Sequence, residues 1–163
     1  MNIEKYLRLA SRSGFTRHLL NRALYRLIPF NGPHRLSVLE AQDGHARVLL
    51  PYRRKNLNHL KGLHACALAT LAEYTSGIAL LSVAGNGYRL IMKSLQVEYH
   101  KQGKTQASAT YTIDVQAFRQ ELDHANKASE PLWHIAEVTV VNTSGEALCT
   151  AKIHWQLKAW STR

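Results

Sequence analysis

The stretch GLHACALATLAEYTSGIALLSVA runs from Gly62 to Ala84 and is apolar on nearly every side. It is long enough for about six turns of helix, and Gly85-Asn86-Gly87 supplies the stop. A helix that is apolar all round must be covered all round, by lipid or by its own protein. Lipid fits poorly here. Between Ala65 and Tyr88 the one charge, Glu73, lies near the middle, where a carboxylate costs about 2.5–3.5 kcal/mol. The stretch is also rich in Ala, Ser, Thr and Gly, and strand-like sequence follows it. It reads as a buried helix.

Downstream the hydrophobic period falls to two. Arg89–Lys101 and Lys104–Val115 read as strands meeting at Gln102-Gly103, with Ala107, Ala109, Tyr111, Ile113 and Val115 alternating with polar residues. Residues 116–127 are polar and read as a short helical or irregular connection. Trp133–Asn142 and Glu146–Ala159 read as strands meeting at Ser144-Gly145. In the last of them Ala147, Cys149, Ala151, Ile153, Trp155 and Leu157 alternate with polar positions, the pattern of a half-buried strand. Upstream, Leu36–Gln42 and His45–Leu50 flank Asp43-Gly44, a strong hairpin signal, and Pro51 ends the second strand. Arg53, Arg54 and Lys55 follow as a basic loop.

One β-hairpin, one long apolar helix and four further strands make an α+β chain in which the sheet must wrap the helix. A mostly antiparallel sheet curled around a central helix is the hot-dog architecture, expected here over residues 29–163. Residues 1–28 read as an amphipathic helical extension, with Ser13-Gly14 as a break between two helices.

The chain has 163 residues, with 21 Lys and Arg against 11 Asp and Glu, a net charge of +10. Up to Arg35 there are seven basic residues and one acid, Glu4, so +6 of that excess sits in the first fifth. The balance favours an anionic partner: nucleic acid, a membrane surface or a phosphate-bearing ligand. Few aromatics accompany the basic residues and no nucleic-acid motif is present, which argues against nucleic acid. The N-terminal helix could lie on a membrane surface, or simply hold its charges in water. Arginines at 8, 12, 17, 22 and 26 interrupt every early apolar run, so no secretory signal is read. Two cysteines exclude a disulfide framework and suit a reducing compartment, so a cytoplasmic protein is expected.

Glu73 is the sole acid between Asp43 and Glu98, in the middle of the most apolar helix. An unpaired buried carboxylate costs several kcal/mol. It needs a cationic partner, a place in a subunit interface, or a chemical role as base or nucleophile. The loop Asn58-His59-Leu60-Lys61-Gly62-Leu63-His64 enters the helix at Ala65, and first-turn amides can polarise a carbonyl or bind an anion. Ala65 and Glu73 are about 12 Å apart along the axis, too far to act on one atom unless a second subunit completes the site. No metal-ligand spacing is present, and no cofactor loop or serine elbow. Cys66 near the helix start reads as a structural cysteine more readily than as a nucleophile.

The run Asn58-His59-Leu60-Lys61-Gly62-Leu63-His64-Ala65-Cys66-Ala67-Leu68-Ala69-Thr70-Leu71-Ala72-Glu73 resembles the N-x-x-G-x-x-H-G-G-x-x-x-x-L-x-[DE] signature of hot-dog acyl-CoA thioesterases of the phenylacetate-pathway type. Pro29-Phe30-Asn31-Gly32, Val48-Leu49-Leu50-Pro51 and Asn56 look like an uncharacterised branch of that superfamily, and the likeness spans about residues 27–158. The resemblance implies hydrolysis of an acyl-CoA or acyl-carrier-protein thioester by a homodimer or tetramer with its site between subunits, and no cofactor. Glu73 would activate water or attack the carbonyl, the Ala65 N–H would hold the oxyanion, Asn58 would orient water, and His64 would line the site. The chain departs from the motif where Ala65-Cys66 replaces Gly-Gly and at Lys61, a common glycine position. Arg53, Arg54, Lys55, Lys61 and Lys101 are candidates for the CoA phosphates, each also readable as solvated surface. Two other readings stay open: a non-catalytic acyl-CoA or lipid-binding hot-dog protein, and a basic protein of membrane surfaces.

Overall fold

The computed structural model describes Leu7 and residues 13–160. The elements in chain order are α1 (Gly14–Leu27), β1 (Ser37–Gln42), β2 (His45–Leu50), α2 (Ala65–Ala84), β3 (Tyr88–Tyr99), β4 (Ala107–Thr112), α3 (Val115–Lys127), β5 (Leu132–Asn142) and β6 (Ala147–Ala159). The six strands form one antiparallel sheet in the order β1-β2-β4-β5-β6-β3.

The sheet curls around α2, which touches every strand. By length and composition Ala65–Gly87 could cross a membrane, but 12 of the 20 residues of α2 are buried, covered by the inner face of the sheet. This is the hot-dog fold that the apolar run implied. The polar residues on α2 stay within it by bonding backwards: Thr75 Oγ1 donates to the Leu71 carbonyl at 2.6 Å and Ser82 Oγ to Ala79 at 2.7 Å.

The Asp43-Gly44 hairpin forms as expected. Both residues have positive φ, 44° and 79°, which makes the tight turn that twists with its strands. The Gly44 N–H then donates to Ser82 Oγ at 2.8 Å and anchors the turn to the end of α2. Ser144-Gly145 also turns as expected, with Gly145 at φ 81°.

Gln102-Gly103 does not join a hairpin. β3 pairs with β6, while β4 lies between β2 and β5. Gly103 is absent from the residues with positive φ, so no hairpin turn is built there. The glycine serves close approach instead: a Cβ would sit 2.9 Å from Leu148 Cδ1 and 3.2 Å from Leu63 Cδ1. The segment crosses the start of α2, where Leu63 N–H donates to the Gly103 carbonyl at 2.7 Å. The alternation of β6 also slips at its start. A register shift between Val140 and Val141 leaves Ala147 exposed and buries Leu148 beside Cys149.

Residues 116–127 are a full helix, α3. Asp114 caps it by accepting from the Gln116 and Ala117 N–H groups at 2.9 and 3.0 Å, and Phe118 and Leu122, four apart, are its buried anchors. α1 starts at Gly14, where Ser13 Oγ accepts from the Thr16 N–H. The break at Ser13-Gly14 is thus a helix cap. The remainder of the expected extension, apart from Leu7, which is helical and buried, lies outside the described residues. Leu20 and Leu24 pack into the same core as the sheet. Between them Asn21 pairs with the outer edge of β1: its Oδ1 accepts from the Val38 N–H at 2.8 Å and its Nδ2 donates to the Val38 carbonyl at 3.1 Å.

Candidate active site

The entry to α2 is set by two polar side chains. Asn58 Oδ1 accepts from the Leu60 and Gly62 N–H groups at 2.9 and 3.0 Å, closing a tight turn in which Lys61 takes φ 57°. His64 caps the helix, its Nδ1 accepting from the Cys66 N–H at 3.1 Å. The imidazole is therefore neutral at Nδ1 when it caps, with its proton on Nε2. Behind them Asn56 is buried and acts as a clasp. Its Nδ2 donates to the His34 and Pro51 carbonyls, and its own carbonyl accepts from the His64 N–H at 2.8 Å.

This arrangement uses the backbone donors one by one. Leu63 N–H goes to Gly103, His64 N–H to Asn56, Cys66 N–H to the His64 ring, and the Ala67 and Leu68 N–H groups to the His64 carbonyl. The Ala65 N–H donates to none of the described residues. It belongs to a cleft of about 330 Å³ shared by Asn58, Ala65, Tyr99, His100 and Lys101.

Glu73 lies two turns further along, in a separate cavity of about 530 Å³ lined by Phe30, Cys66, Thr70, Tyr74, Met92 and Tyr99. Burial pushes its carboxyl pKa up from 4.5 to about 7. Among the described residues no hydrogen bond or ion pair reaches the carboxylate, so the reading of Glu73 as half of an intramolecular salt bridge finds no partner. A smaller hollow of about 280 Å³, holding His64 and Lys55, shares Phe30, Cys66 and Thr70 with this cavity.

The structure thus brings Glu73, His64 and Lys55 along one groove and places Ala65, Asn58 and Lys101 in another. Tyr99 stands between them, lining both cavities, with its hydroxyl donating to the Ala65 carbonyl at 3.0 Å. Arg53, Arg54 and Lys61 line neither. Lys101 pairs with Glu146, and the Lys61 carbonyl accepts from the Tyr52 hydroxyl.

Sequence reasoning missed Phe30, Thr70 and Tyr99 as lining residues. The spacing Cys66, Thr70, Glu73 marks one helix face and was available to find Thr70. Phe30 and Tyr99 arrive from distant elements and leave no local signal. Among the described residues no cluster capable of holding a metal ion is present.

The fold has close counterparts among solved structures. A protein of unknown function from Pseudomonas aeruginosa, called a probable thioesterase, superposes with a TM-score of 0.80 at 23% identity, covering 88% of this chain and 96% of that one. A thioesterase from Haemophilus influenzae gives 0.67 at 9% identity, covering 86% and 91%. A mutant of the phenylacetic acid degradation protein PaaI from Thermus thermophilus gives 0.60 at 18% identity, covering 78% and 97%. A search of curated proteins finds no match. These neighbours share the hot-dog fold of thioesterases, and one family model spans residues 16–157. By that match the chain belongs to the family described as Domain of unknown function (DUF4442).

Proposed function

We propose that the protein hydrolyses an acyl thioester, of coenzyme A or an acyl carrier protein, with Glu73 as the base. The observation that carries this reading is Glu73 itself: a carboxylate without a cationic partner among the described residues, at an apolar cavity, with its pKa near 7. A base poised near neutrality both exists in its ionised form and takes up a proton readily. In the proposed step Glu73 removes a proton from water as the water oxygen attacks the thioester carbonyl. The oxyanion is held by an Ala65 N–H, which has no competing acceptor among the described residues. The tetrahedral carbon then expels the thiolate, which takes the proton back from Glu73, giving free acid and thiol.

Within one protomer the two groups belong to different cavities, which have Tyr99 in common. The reading therefore requires a second copy, so that Glu73 of one subunit faces the Ala65 N–H of the other. β3 supports this. It is 12 residues long and forms an end of the sheet. Its Met92, Leu95 and Tyr99 line the Glu73 cavity. Asn58 spends its Oδ1 on the turn but keeps its Nδ2 for a water at the same cleft. Of the basic candidates, Lys55 and Lys101 are the ones beside the cavities and take the phosphate contacts of the substrate.

The test is a hydrolysis screen with short, medium, long and aromatic acyl-CoA substrates on the wild type and on Glu73→Ala. Turnover by the wild type that Glu73→Ala abolishes supports the proposal. Equal rates for both proteins overturn it. Tight acyl-CoA binding without turnover would identify a binding protein instead.

A further inference from the structure

One further cavity has no part in this chemistry. It lies between α1 and the β1–β2 hairpin, has a volume of about 430 Å³, and shares no residue with the Glu73 or Ala65 cavities. That size falls within the usual range for small-molecule sites, about 300–1,000 Å³. Three arginines, Arg17, Arg22 and Arg35, line it, with His18 beside them and no carboxylate among the described residues that line it. Among the described residues none of the three arginines has an ion-pair partner. Like charges gathered without counterions repel one another, so the arrangement is stabilised by whatever anion enters.

The cluster is built by geometry and not by mere abundance of basic residues. Arg17, Asn21 and Tyr25 are spaced by four along one face of α1, and His18 and Arg22 by four on the adjoining row. The double hydrogen bond between Asn21 and Val38 fixes this face against β1. Arg35 comes from the other wall. It sits in a left-handed conformation, φ 57°, at the end of a turn in which its N–H is shared by the Asn31 and Gly32 carbonyls. For a long side chain that conformation costs on the order of 1 kcal/mol or more. It carries the Arg35 guanidinium to 5.8 Å from the centre of the Tyr25 ring, facing α1. Leu39, Leu49 and Pro51 form an apolar floor.

We propose that this cleft binds a phosphate ester whose non-phosphate part rests on the apolar floor. One carboxylate would satisfy one guanidinium and leave two facing each other. A phosphate offers three or more acceptor oxygens and up to two charges, and arginine pairs with it through two parallel hydrogen bonds. The same chemistry is presented by a soluble nucleotide and by an anionic lipid headgroup, and the experiment separates them.

The full-length protein is titrated at low salt with adenosine 3′,5′-bisphosphate by calorimetry, and in parallel mixed with phosphatidylcholine vesicles with and without phosphatidylglycerol. Two triple variants are compared: Arg17→Gln/Arg22→Gln/Arg35→Gln in the cleft, and Arg119→Gln/Lys127→Gln/Lys152→Gln on distant exposed positions. The expected result is saturable binding to one probe, at least tenfold weaker in the cleft variant and within twofold of wild type in the distant one. Binding of the soluble bisphosphate identifies a free phosphate ester as the ligand; binding of phosphatidylglycerol vesicles alone identifies a lipid headgroup. If the triple cleft variant melts early, Arg17→Gln alone, at an exposed helix position, is read in the same way. Failure of the wild type to bind either probe, or equal loss in both triple variants, overturns the proposal. Thioester turnover is measured separately, so neither result depends on the role given to Glu73.

Discussion

The indole Nε1 of Trp155 donates a hydrogen bond of 3.0 Å to Ser76 Oγ, joining the centre of β6 to the middle of α2. The same hydroxyl donates to the backbone carbonyl of Glu73 at 2.9 Å. The sheet thus reaches the turn of helix that carries the proposed base through two bonds. Trp155→Phe keeps the aromatic packing but removes the donor and leaves a small void. A lost net hydrogen bond is worth about 0.5–1.5 kcal/mol and the void adds to it, so urea unfolding should show a loss of about 1–3 kcal/mol.

The glycine beside that contact and the glycine at the crossover should respond with opposite signs. A Cβ at Gly77 would meet the Trp155 ring at 3.5 Å, ordinary van der Waals contact. Gly77→Ala should therefore stabilise the protein by up to about 1 kcal/mol through helix propensity. Gly103→Ala forces a Cβ to 2.9 Å from Leu148 Cδ1 in a filled corner of the core, and should lower the melting temperature by several degrees. Thermal melts of the two variants side by side check both.

Glu73 also sets a pH dependence of stability. Below pH 4.5 its carboxyl is protonated in both the folded and the unfolded chain. As pH rises towards about 7 the unfolded chain ionises first, and above 7 the folded state carries a charge that burial disfavours. Its contribution therefore falls as pH rises across that window. Glu73→Gln should be more stable than wild type at pH 8, by up to about 3 kcal/mol, with the advantage fading below pH 4.5. Denaturation of both proteins at pH 4 and pH 8 gives the comparison.

Catalysis should run the opposite way. A base works when ionised, so kcat/KM of the wild type should climb as pH rises through about 7. Glu73→Gln keeps the shape and loses the base, and kcat should drop by about 10²–10⁴ while the fold persists. Ala65→Pro removes the proposed oxyanion donor at a first-turn position that tolerates proline, with an expected loss of about 10²–10³ in kcat. Steady-state rates on the best thioester across pH 5–9 measure all three.

Much of the architecture was readable in the sequence because its signals are local. The run from Gly62 to Ala84, the Asp43-Gly44 turn and the Ser144-Gly145 turn each carry their geometry within a few residues. The pairing of β3 was not. Gln102-Gly103 resembles a turn, but its glycine answers to Leu148 and Leu63, residues far away in the chain. α3 was blurred for a similar reason: its face is defined by only two buried anchors, Phe118 and Leu122. At the site, Glu73 stood out because an acid in an apolar helix is unusual, and the start of α2 because first-turn amides lack acceptors within the helix. Tyr99, which separates the two cavities, is one aromatic among many until the strand is placed.

The proposed site needs two chains, and the mass in solution checks it. Light scattering at micromolar concentration should give at least twice the 18.4 kDa of one chain. A clean monomer at that concentration would remove the basis for pairing Glu73 with an Ala65 N–H.

The amide of Asn21 has a meaning for how copies of the chain add to one another. A sheet with two open ends can lengthen without limit, copy upon copy, as fibrils do. Here one end is stoppered: Asn21 takes both the N–H and the carbonyl that Val38 would offer to a further strand, and the strand shifts register just beyond, between Val38 and Glu40. Growth is left with the β3 end. In the proposed dimer, two such ends meeting about a twofold axis would consume each other and leave the sheet no open end from which to nucleate a filament.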